Sequence, residues 1–573
     1  MTTEASFDTT ALDQALDELR ADASAWVALP LKDKVALLDG LPQKILDLSP
    51  QMAAAANKAK GIDPTSSWAG EEWLVNVWAF VQGVMSHALV LKRILAGKAP
   101  VPPGAVHTRP DGQVVVDVFP VTAYDRLLLN GYGAQVWIEP GFTAAQTRKD
   151  AARMYRGAGY EQPGVALVLG AGNVGAITTL DVLDQLFARG NVCVVKMNPV
   201  NDYLGSFYEE IFGEFVSGGW LRFVYGNADV GGYLAHHPKV DSVHMTGSAT
   251  TYDAIVWGDD AEAAARKAAN TPILNKPISA ELGGITPVIV VPGEWSDADM
   301  RFQAEHIATS KLNNAGHNCV ATQIVVISRD WPLADKLVAE VRRVMREVEP
   351  RRTYYPHSED KTDKACAGMS GVAFLSSDKS RAIIADLDPH SAASILRDEV
   401  FAGVLGIVRL PGATAREFLS NAVEFANDVL PGTLGASLII DPATRKANAA
   451  AFDEAISRMR YGDIGVNVWS GLNFLLGYTP WGPFPGQTPQ NIGSGTGVVH
   501  NAFLLQHVQK TIAEIPFRPS PRALLHGEWT ISPKPVFFIT NKTTETTVRR
   551  LVQFLVHGNT TALPGIFASA LRG

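Results

Sequence analysis

Cysteine is scarce in this chain: Cys193, Cys319 and Cys366 are the three in 573 residues. They are too few and too scattered for a disulfide framework or a cysteine-rich zinc site, so a reducing cytoplasm is the expected setting. No run of about 18 uninterrupted apolar residues occurs, and no membrane span is expected. Positive charge is also in short supply. A net charge of −8 and a pI near 5.9 exclude a basic, phosphate-seeking surface, and with it nucleic acid as the expected partner. A small-molecule substrate fits better. The acidic start, MTTEASFDTTALDQALDELR, lacks the basic region and apolar run of a secretory signal. Apolar residues are plentiful, 46% against 19% charged, which is a globular composition. Single cores stop growing near roughly 250–300 residues, so two or three domains are expected.

Helical apolar spacing over Ala11–Asp22, Leu31–Leu48 and Glu71–Leu95 predicts an N-terminal helical layer. From Gln113 to Gly141 the runs VVVDVFP and AQVWIEPG, with LLLN between them, predict strands extending away from the main core. Alternation follows: VALVLG, a helix over Thr179–Ala188, NVCVVK, a helix over Tyr203–Phe215, LRFVYG and VDSVHMTG. Such alternation predicts a parallel, doubly wound sheet. After Gly284 the cycle restarts with TPVIVV, a helix over Ala298–Leu312, QIVVIS and a helix over Ala334–Val348, a second α/β unit. Arg518–Pro535 reads as a loop, PVFFIT as a late strand and TTVRRLVQFLVHG as a helix. Two N-x-T sequons, at Asn541 and Asn559, carry no weight in a cytoplasmic protein.

VALVLGAGNVG places Gly170, Gly172 and Gly175 in a formal GxGxxG turn between a strand and a helix. An ordinary dinucleotide fold also needs an acid about 20 residues on, ending the next strand. That strand, NVCVVK, ends instead in Lys196.

A second set of motifs is more specific. LNKPISAELGG holds Glu281, NNAGHNCVATQ holds Cys319, RDEVFAGV holds Glu399 and Phe401, and VNVWSGLNFLLGYTPWGPFPG follows. In this order, over roughly residues 110–500, the chain resembles the aldehyde dehydrogenases, and AGNVG supplies the family's asparagine as Asn173. The resemblance implies an α/β fold: a Rossmann-like cofactor domain, an α/β catalytic domain and a β-hairpin oligomerisation arm. It places the NAD(P)-binding domain in residues 1–111 and 142–283, the catalytic domain in 284–515, the arm in 112–141 and 530–545, and a helical tail in 546–573. It implies Cys319 as nucleophile, Glu281 as general base and Asn173 as oxyanion donor. Lys196, Asn198, Gly247, Ser248, Gly283, Glu399 and Phe401 would hold the cofactor, and no residue is assigned to a metal. Association as a homodimer or homotetramer is expected.

The chemistry of these residue types agrees. A thiol with an ordinary pKa near 8.5 is only a few per cent ionised at pH 7, and the polar Gly-containing NNAGHNC loop is expected to expose the sulfur and supply N–H groups that help it ionise. Attack on an aldehyde creates an alkoxide needing fixed donors, for which the Asn173 amide and the Cys319 N–H are candidates. A carboxylate with raised pKa can activate the water that hydrolyses the resulting thioester. Cys193 reads as a core thiol inside a strand and Cys366 as an ordinary helix or loop thiol. Glu281 alone could be a turn carboxylate, Asn173 a turn former, Glu399 a surface charge and Phe401 a core aromatic. His236 and His237 read as loop residues rather than metal ligands.

The sequence departs from the family pattern in places. Pro199 stands where a ribose-binding glutamate is common after Lys196, which shifts the balance from NAD toward NADP. MTGSATTYD keeps Thr246, Gly247 and Ser248 but not the acid often found after them, His317 replaces a glutamine, and the chain continues well beyond residue 515. Three other readings stay open: a coenzyme A-acylating dehydrogenase, an inactive binding protein on the same fold, and an ordinary Rossmann oxidoreductase with no covalent step. Trp469, Phe474 and Trp481 hint at an apolar pocket, and core packing explains them as well.

Overall fold

The computed structural model describes residues 7–102 and 104–573, so the first six residues of the acidic N-terminal segment and Pro103 lie outside it. The described part of the N-terminal segment is helical. Thr10–Ala28 buries Leu12, Leu16, Leu19 and Trp26, one stripe at helical spacing. Leu31–Ala59 follows with Leu38, Leu41, Ile45 and Met52 inward.

The next helical stretch, Ala69–Leu95, is long and apolar enough to cross a membrane by length and composition, yet 89% of its most apolar window is buried inside the protein. Trp73–Trp78 within it is wound as a π-helix, with all six residues buried. Such a widened turn rotates successive side chains relative to an α-helix, and it is often found beside functional sites. Here it follows directly on Glu71 and Glu72 and carries Leu74 and Val75, which line the narrow pocket described below.

Two sheets organise the rest. The smaller has six strands in the order Gly495–Thr496, Ile278–Leu282, Ser242–Gly247, Val165–Leu169, Val192–Lys196 and Leu221–Val224. All its pairings are parallel except that of Gly495–Thr496, which runs antiparallel to Ile278–Leu282 and sets Gly495 opposite Glu281. Val165, Ala166, Leu167 and Val168 are fully buried, as are Val192 to Val195. Continuous β-branched runs of this kind suit parallel strands covered on both faces.

The larger sheet has eleven strands. Its parallel centre contains Thr286–Val290, Thr322–Ser328, Gly403–Leu410, Gly435–Ile439 and Asp463–Val466. Val508–Glu514 lies parallel to Asp463–Val466 on one side and antiparallel to Gly133–Ile138 on the other. The runs expected to extend away from the core, Val114–Phe119 and Gly133–Ile138, are therefore built into the edge of this sheet. Both faces are covered: Val114, Val116, Val118 and Val136 pack in one core and Val115 with Trp137 in another, all almost completely buried, and that apolar surface accounts for the position.

Other segments also differ from expectation. The LLLN segment sits at the end of a capped helix, Ala123–Leu128. Tyr203–Phe215 is broken into Gly205–Ile211 and Gly213–Ser217. Residues 530–545 hold no strand: Phe538 stacks on Phe302 with ring centroids 5.0 Å apart, so the apolar run packs on the helix Asp297–Leu312. The tail continues as the helices Thr544–His557 and Leu563–Ala570.

Gly495 links the small sheet to the site. Its φ is +106°, and a Cβ there would stand 1.9 Å from the Ala280 carbonyl oxygen. We expect Gly495→Ala to lower stability by about 1–3 kcal/mol in denaturant titration, because both the backbone conformation and the contact penalise a side chain. A wild-type unfolding midpoint would contradict this account of the strand pairing.

Candidate active site

The segment carrying Cys319 follows the helix Asp297–Leu312 and leads into the strand Thr322–Ser328. Asn314, Ala315 and Gly316 all have positive φ, at 52°, 57° and 83°. Consecutive left-handed residues are costly away from glycine, so surrounding contacts must hold them. At Gly316 a Cβ would meet the Ala402 carbonyl carbon at 2.6 Å.

Two buried ion pairs supply the hold. Lys60 Nζ lies 2.6 Å from Glu72, both with less than 2% of the side chain exposed, and donates to the Asn173 carbonyl and to Asn314 Oδ1, both at 3.2 Å. Arg351 Nη1 donates to Glu71 at 2.7 Å, and Glu71 also accepts the Asn314 backbone N–H. Asn314 Nδ2 and the Tyr354 hydroxyl complete the bonding at the Asn173 carbonyl. Burial opposes the charge on Lys60, and Glu72 outweighs it, so the ammonium is held above its ordinary pKa. The loop that carries Cys319 and the Gly-rich turn are thereby fastened to one another. None of Lys60, Glu71, Glu72, Asn314, Arg351 or Tyr354 was singled out from the sequence. The one available signal was the acid pair inside an otherwise apolar helix, in AGEEWLVNVW.

All ten site residues expected from the sequence line one cleft of about 1190 Å³: Asn173, Lys196, Asn198, Gly247, Ser248, Glu281, Gly283, Cys319, Glu399 and Phe401. Asn173 donates one amide N–H to the His317 carbonyl at 3.1 Å, leaving its second amide hydrogen uncommitted to that bond. Glu281 is 3% exposed, and neither carboxyl oxygen has a hydrogen-bond partner, although the Cys319 thiol and the Trp481 indole are its neighbours. Glu399 packs against Gly283, where a Cβ would stand 1.9 Å from its Oε1, and that oxygen is buried and unpartnered. Phe401 stands edge-on to Tyr355 at 5.0 Å. Ser248 caps the helix Ala249–Trp257 by accepting the Thr251 N–H, so the start of that helix faces the cleft. A helix start presents N–H groups and partial positive charge to an anion.

The GxGxxG turn is closely packed at two points. Asn198 and the Tyr355 hydroxyl crowd Gly172, and the Ala176 N–H at the following helix start bonds Asn76 Oδ1 at 3.1 Å. One amide of that helix start is therefore already committed to protein, while Gly170 and Gly172 line the cleft.

Electrostatics correct one expectation. Cys319 lies in a turn between a short 3₁₀ segment and a strand, not at a helix start, and burial together with the adjacent Glu281 pushes its thiol pKa up. Burial raises Glu281 as well, and pushes Glu399 to about 7 against the pull of Lys361 and Lys311. Lys311, bonded to the Ala402 carbonyl, falls to about 7 through burial. His317 is fully buried rather than set in an open polar loop. It bonds Ser358 at 2.7 Å and is held to about 3 by burial, with Arg351 and Lys60 adding to the effect. Lys196 is 7% exposed, and its pKa is lowered by burial, with Asp202 opposing.

A second buried group stands behind Glu281. Thr246, opposite Glu281 in the sheet, donates to Asp181 at 3.2 Å. His244 and His500 lie 3.3 and 3.4 Å from the other Asp181 oxygen, close enough for charge contact but without hydrogen-bond alignment. Burial alone would raise Asp181, yet the two histidines hold it well below the usual carboxylate range. Neither Asp181 nor its two histidines was anticipated from the sequence.

On the other side of Cys319 a narrow pocket is lined by Leu74, Ile177, Trp469, Phe474, Leu475 and Trp481, among others. The three aromatics noted in the sequence thus meet at the sulfur. Cys193 is fully buried in its strand, and Cys366 ends the helix Ser358–Cys366.

Lys60→Met leaves Glu72 as an unpaired buried charge and should cost about 3–5 kcal/mol of stability in denaturant titration. The double variant Lys60→Met/Glu72→Leu should recover much of that loss. An additive double variant would show that the two groups do not act as a pair.

The description of the aldehyde dehydrogenase family matches residues 146–359. A 1-pyrroline-5-carboxylate dehydrogenase of Halalkalibacterium halodurans is 26% identical over 377 residues, 62% of this chain and 67% of the relative. An NADP⁺ D-glyceraldehyde dehydrogenase of Thermoplasma acidophilum is 27% identical over 337 residues, 54% of this chain and 62% of the relative. The chain thus spans about two thirds of the length of these curated relatives. Among solved structures, a mutant aldehyde dehydrogenase C of Pseudomonas syringae complexed with NAD⁺ and octanal shares the fold with a TM-score of 0.59, 17% identity and coverage of 90% and 91% of the two chains. An NADP-dependent glyceraldehyde-3-phosphate dehydrogenase of Bacillus halodurans complexed with NADP gives 0.57, 18%, and 88% and 91%. The ordered motifs and these matches point the same way: over residues 146–359 the chain is similar to the aldehyde dehydrogenase family, and its two-sheet fold is shared with solved aldehyde dehydrogenases.

Proposed function

We propose that this protein oxidises an aldehyde to a carboxylic acid with NAD or NADP, through a covalent intermediate on Cys319. The observation that carries the reading is the convergence of Cys319, Glu281 and Asn173 at the inner end of a cleft whose remaining walls suit a dinucleotide. The fit on that side rests on Glu399, whose buried, unpartnered Oε1 is an acceptor for ribose hydroxyls, and on the helix start at Ser248, which suits a pyrophosphate. Phe401 would support the nicotinamide ring. The bound cofactor would supply the hydride acceptor.

The thiol of Cys319 attacks the aldehyde carbon as its proton passes to the neighbouring Glu281 carboxylate, giving a hemithioacetal oxyanion. The free amide hydrogen of Asn173 and the Cys319 N–H stabilise that oxygen, and removing one such donor typically costs about 10²–10³-fold in rate. Loss of hydride leaves a thioester on Cys319. Once Glu281 has released its proton to solvent, it takes one from water, the hydroxyl attacks the thioester carbon, and the carbon–sulfur bond breaks as Glu281 returns that proton to the sulfur, releasing the carboxylic acid and restoring the thiol. The raised pKa of Glu281 suits both proton transfers. Glu281 beside the sulfur favours water over coenzyme A as acyl acceptor.

Pro199 in place of a ribose-binding acid favours NADP, and Lys196 is the cation available to a 2′-phosphate. Association as a dimer or tetramer belongs to the same reading; the short edge strand Val106–Thr108 is the place where a second copy would meet the larger sheet.

Cys319→Ala should abolish aldehyde-dependent NADH or NADPH formation. Glu281→Gln should slow steady turnover by about 10²–10⁴-fold and accumulate an acyl-enzyme of one added acyl mass. Activity unaffected by Cys319→Ala would return the non-covalent reading to first place, and turnover that requires coenzyme A would replace water as the acceptor.

Because Glu281 acts as a carboxylate and its pKa is raised, turnover should fall with decreasing pH already above the ordinary glutamate range and recover as pH rises. A pH profile of kcat in which the acid limb stays at an ordinary carboxylate pKa would remove Glu281 from the rate-limiting proton transfer.

A further inference from the structure

Beyond the narrow pocket at Cys319 lies a second space of about 90 Å³, and the two share Leu74 and Leu475 as walls. Its lining is largely contributed by the C-terminal tail: Val548, Leu551, Leu555 and Ile566 face Leu472 and Leu476. Two charged residues reach it, and both are engaged elsewhere. The Asp125 carboxylate accepts the N–H groups of Val121 and Thr122 as part of a helix cap. Lys534 pairs with Glu305 and donates to the Thr540 carbonyl. The pocket at the sulfur has no charged side chain in its lining, and its polar groups are the amides Asn173, Asn313 and Asn318 beside the thiol. Tyr124, 41% exposed, stands at the rim of the chamber, edge-on to Phe554 at 4.9 Å.

We propose that the substrate is an aldehyde with an extended, uncharged hydrocarbon chain, its carbonyl at Cys319 and its tail running past Leu74 and Leu475 into a chamber walled by the C-terminal tail. The inference rests on the function proposed above and narrows it to a substrate class. A hydrocarbon chain gains by leaving water for this wall, whereas a carboxylate or phosphate would lose its hydration and meet no free cation. The relatives matched above are named for 1-pyrroline-5-carboxylate and D-glyceraldehyde. Neither a carboxylate nor a polyol finds a charged or densely hydrogen-bonding partner on this side of Cys319. On this view residues 532–570 are a wall of the substrate site, which gives the segment beyond residue 515 a role.

The test is a series of unbranched aldehydes from propanal to decanal, with succinic semialdehyde as the charged member, assayed by kcat/KM on the full chain with NAD and NADP. Each added methylene should raise kcat/KM by about fourfold until the chamber is filled, and succinic semialdehyde should fall below butanal. Leu551→Trp, which fills the chamber from the tail side, should lower the ratio of decanal to propanal turnover, and Leu551→Ala should restore preference for the longer chain. If Leu551→Trp does not fold, the Leu551→Ala variant and the series itself still decide. A flat series with Cys319-dependent propanal turnover, a preference for succinic semialdehyde, or a Leu551→Trp ratio equal to wild type would overturn the chamber's role and leave the aldehyde reading intact. Absence of Cys319-dependent turnover with every aldehyde would overturn both.

Discussion

Three successive left-handed residues, Asn314 to Gly316, turn the chain so that Cys319 reaches the cleft, and they persist because two buried ion pairs enclose them. Lys60 and Arg351 come from segments far apart in sequence, yet both end on the Asn314 side chain, and Lys60 also bonds the carbonyl of Asn173. One ammonium therefore sets the separation between the loop of the proposed nucleophile and the proposed oxyanion donor. Breaking a buried pair from one side is costly because the remaining charge has no water to turn to. The same cost makes the arrangement rigid, which is what a reaction needing aligned groups requires.

Around that fixed frame, burial drives the acids and the thiol toward their neutral forms. Burial raises both groups; Glu281 makes ionisation of Cys319 harder still, while the Cys319 thiol eases that of Glu281 in part. A proton moving from sulfur to carboxylate leaves the net charge of the pair unchanged, so the transfer avoids creating a second anion in a poorly solvated place. Behind them Asp181, paired with His244 and His500, stays ionised and adds to the pressure on Glu281, while His500 opposes it. The proposed general base is thus tuned by a layer of residues that never touches the cleft.

Much of the fold was legible because buried parallel strands are written as uninterrupted β-branched runs. VALVLG, NVCVVK, TPVIVV and QIVVIS all form strands at or within a residue or two of the expected place. PVFFIT has the same composition and forms none; its aromatics pack on a helix instead. Val508–Glu514 carries the opposite lesson: its mixed sequence, VQKTIAE, gives no run to notice, yet it joins the hairpin strands to the parallel sheet. Its Lys510 is buried with its ammonium on the carbonyls of Ile456, Ser457 and Met459, a satisfaction visible only in three dimensions. The residues lining the cleft could be named because they sit in compact motifs. The ion pairs that hold them could not, since Glu71 and Arg351 are 280 residues apart.

Cys319 stands where two unlike solvents meet. On one side the cleft offers Lys196, Asn198, a helix start and Glu399, suited to a large, charged and strongly hydrogen-bonding molecule. On the other, Leu74, Ile177, Trp469 and Phe474 offer no charge and little polarity. A hydrated, charged group reaching the sulfur from the apolar side would have to shed its water with nothing to replace it, while a hydrocarbon entering the polar side would displace water from groups that need it. In the proposed reaction this division of polarity would order the two reactants on opposite faces of the sulfur before any specific contact is made. The π-helical turn at Trp73–Trp78 serves both halves of this arrangement, since it follows directly on Glu71 and Glu72, which anchor the loop, and carries Leu74 and Val75, which line the apolar face.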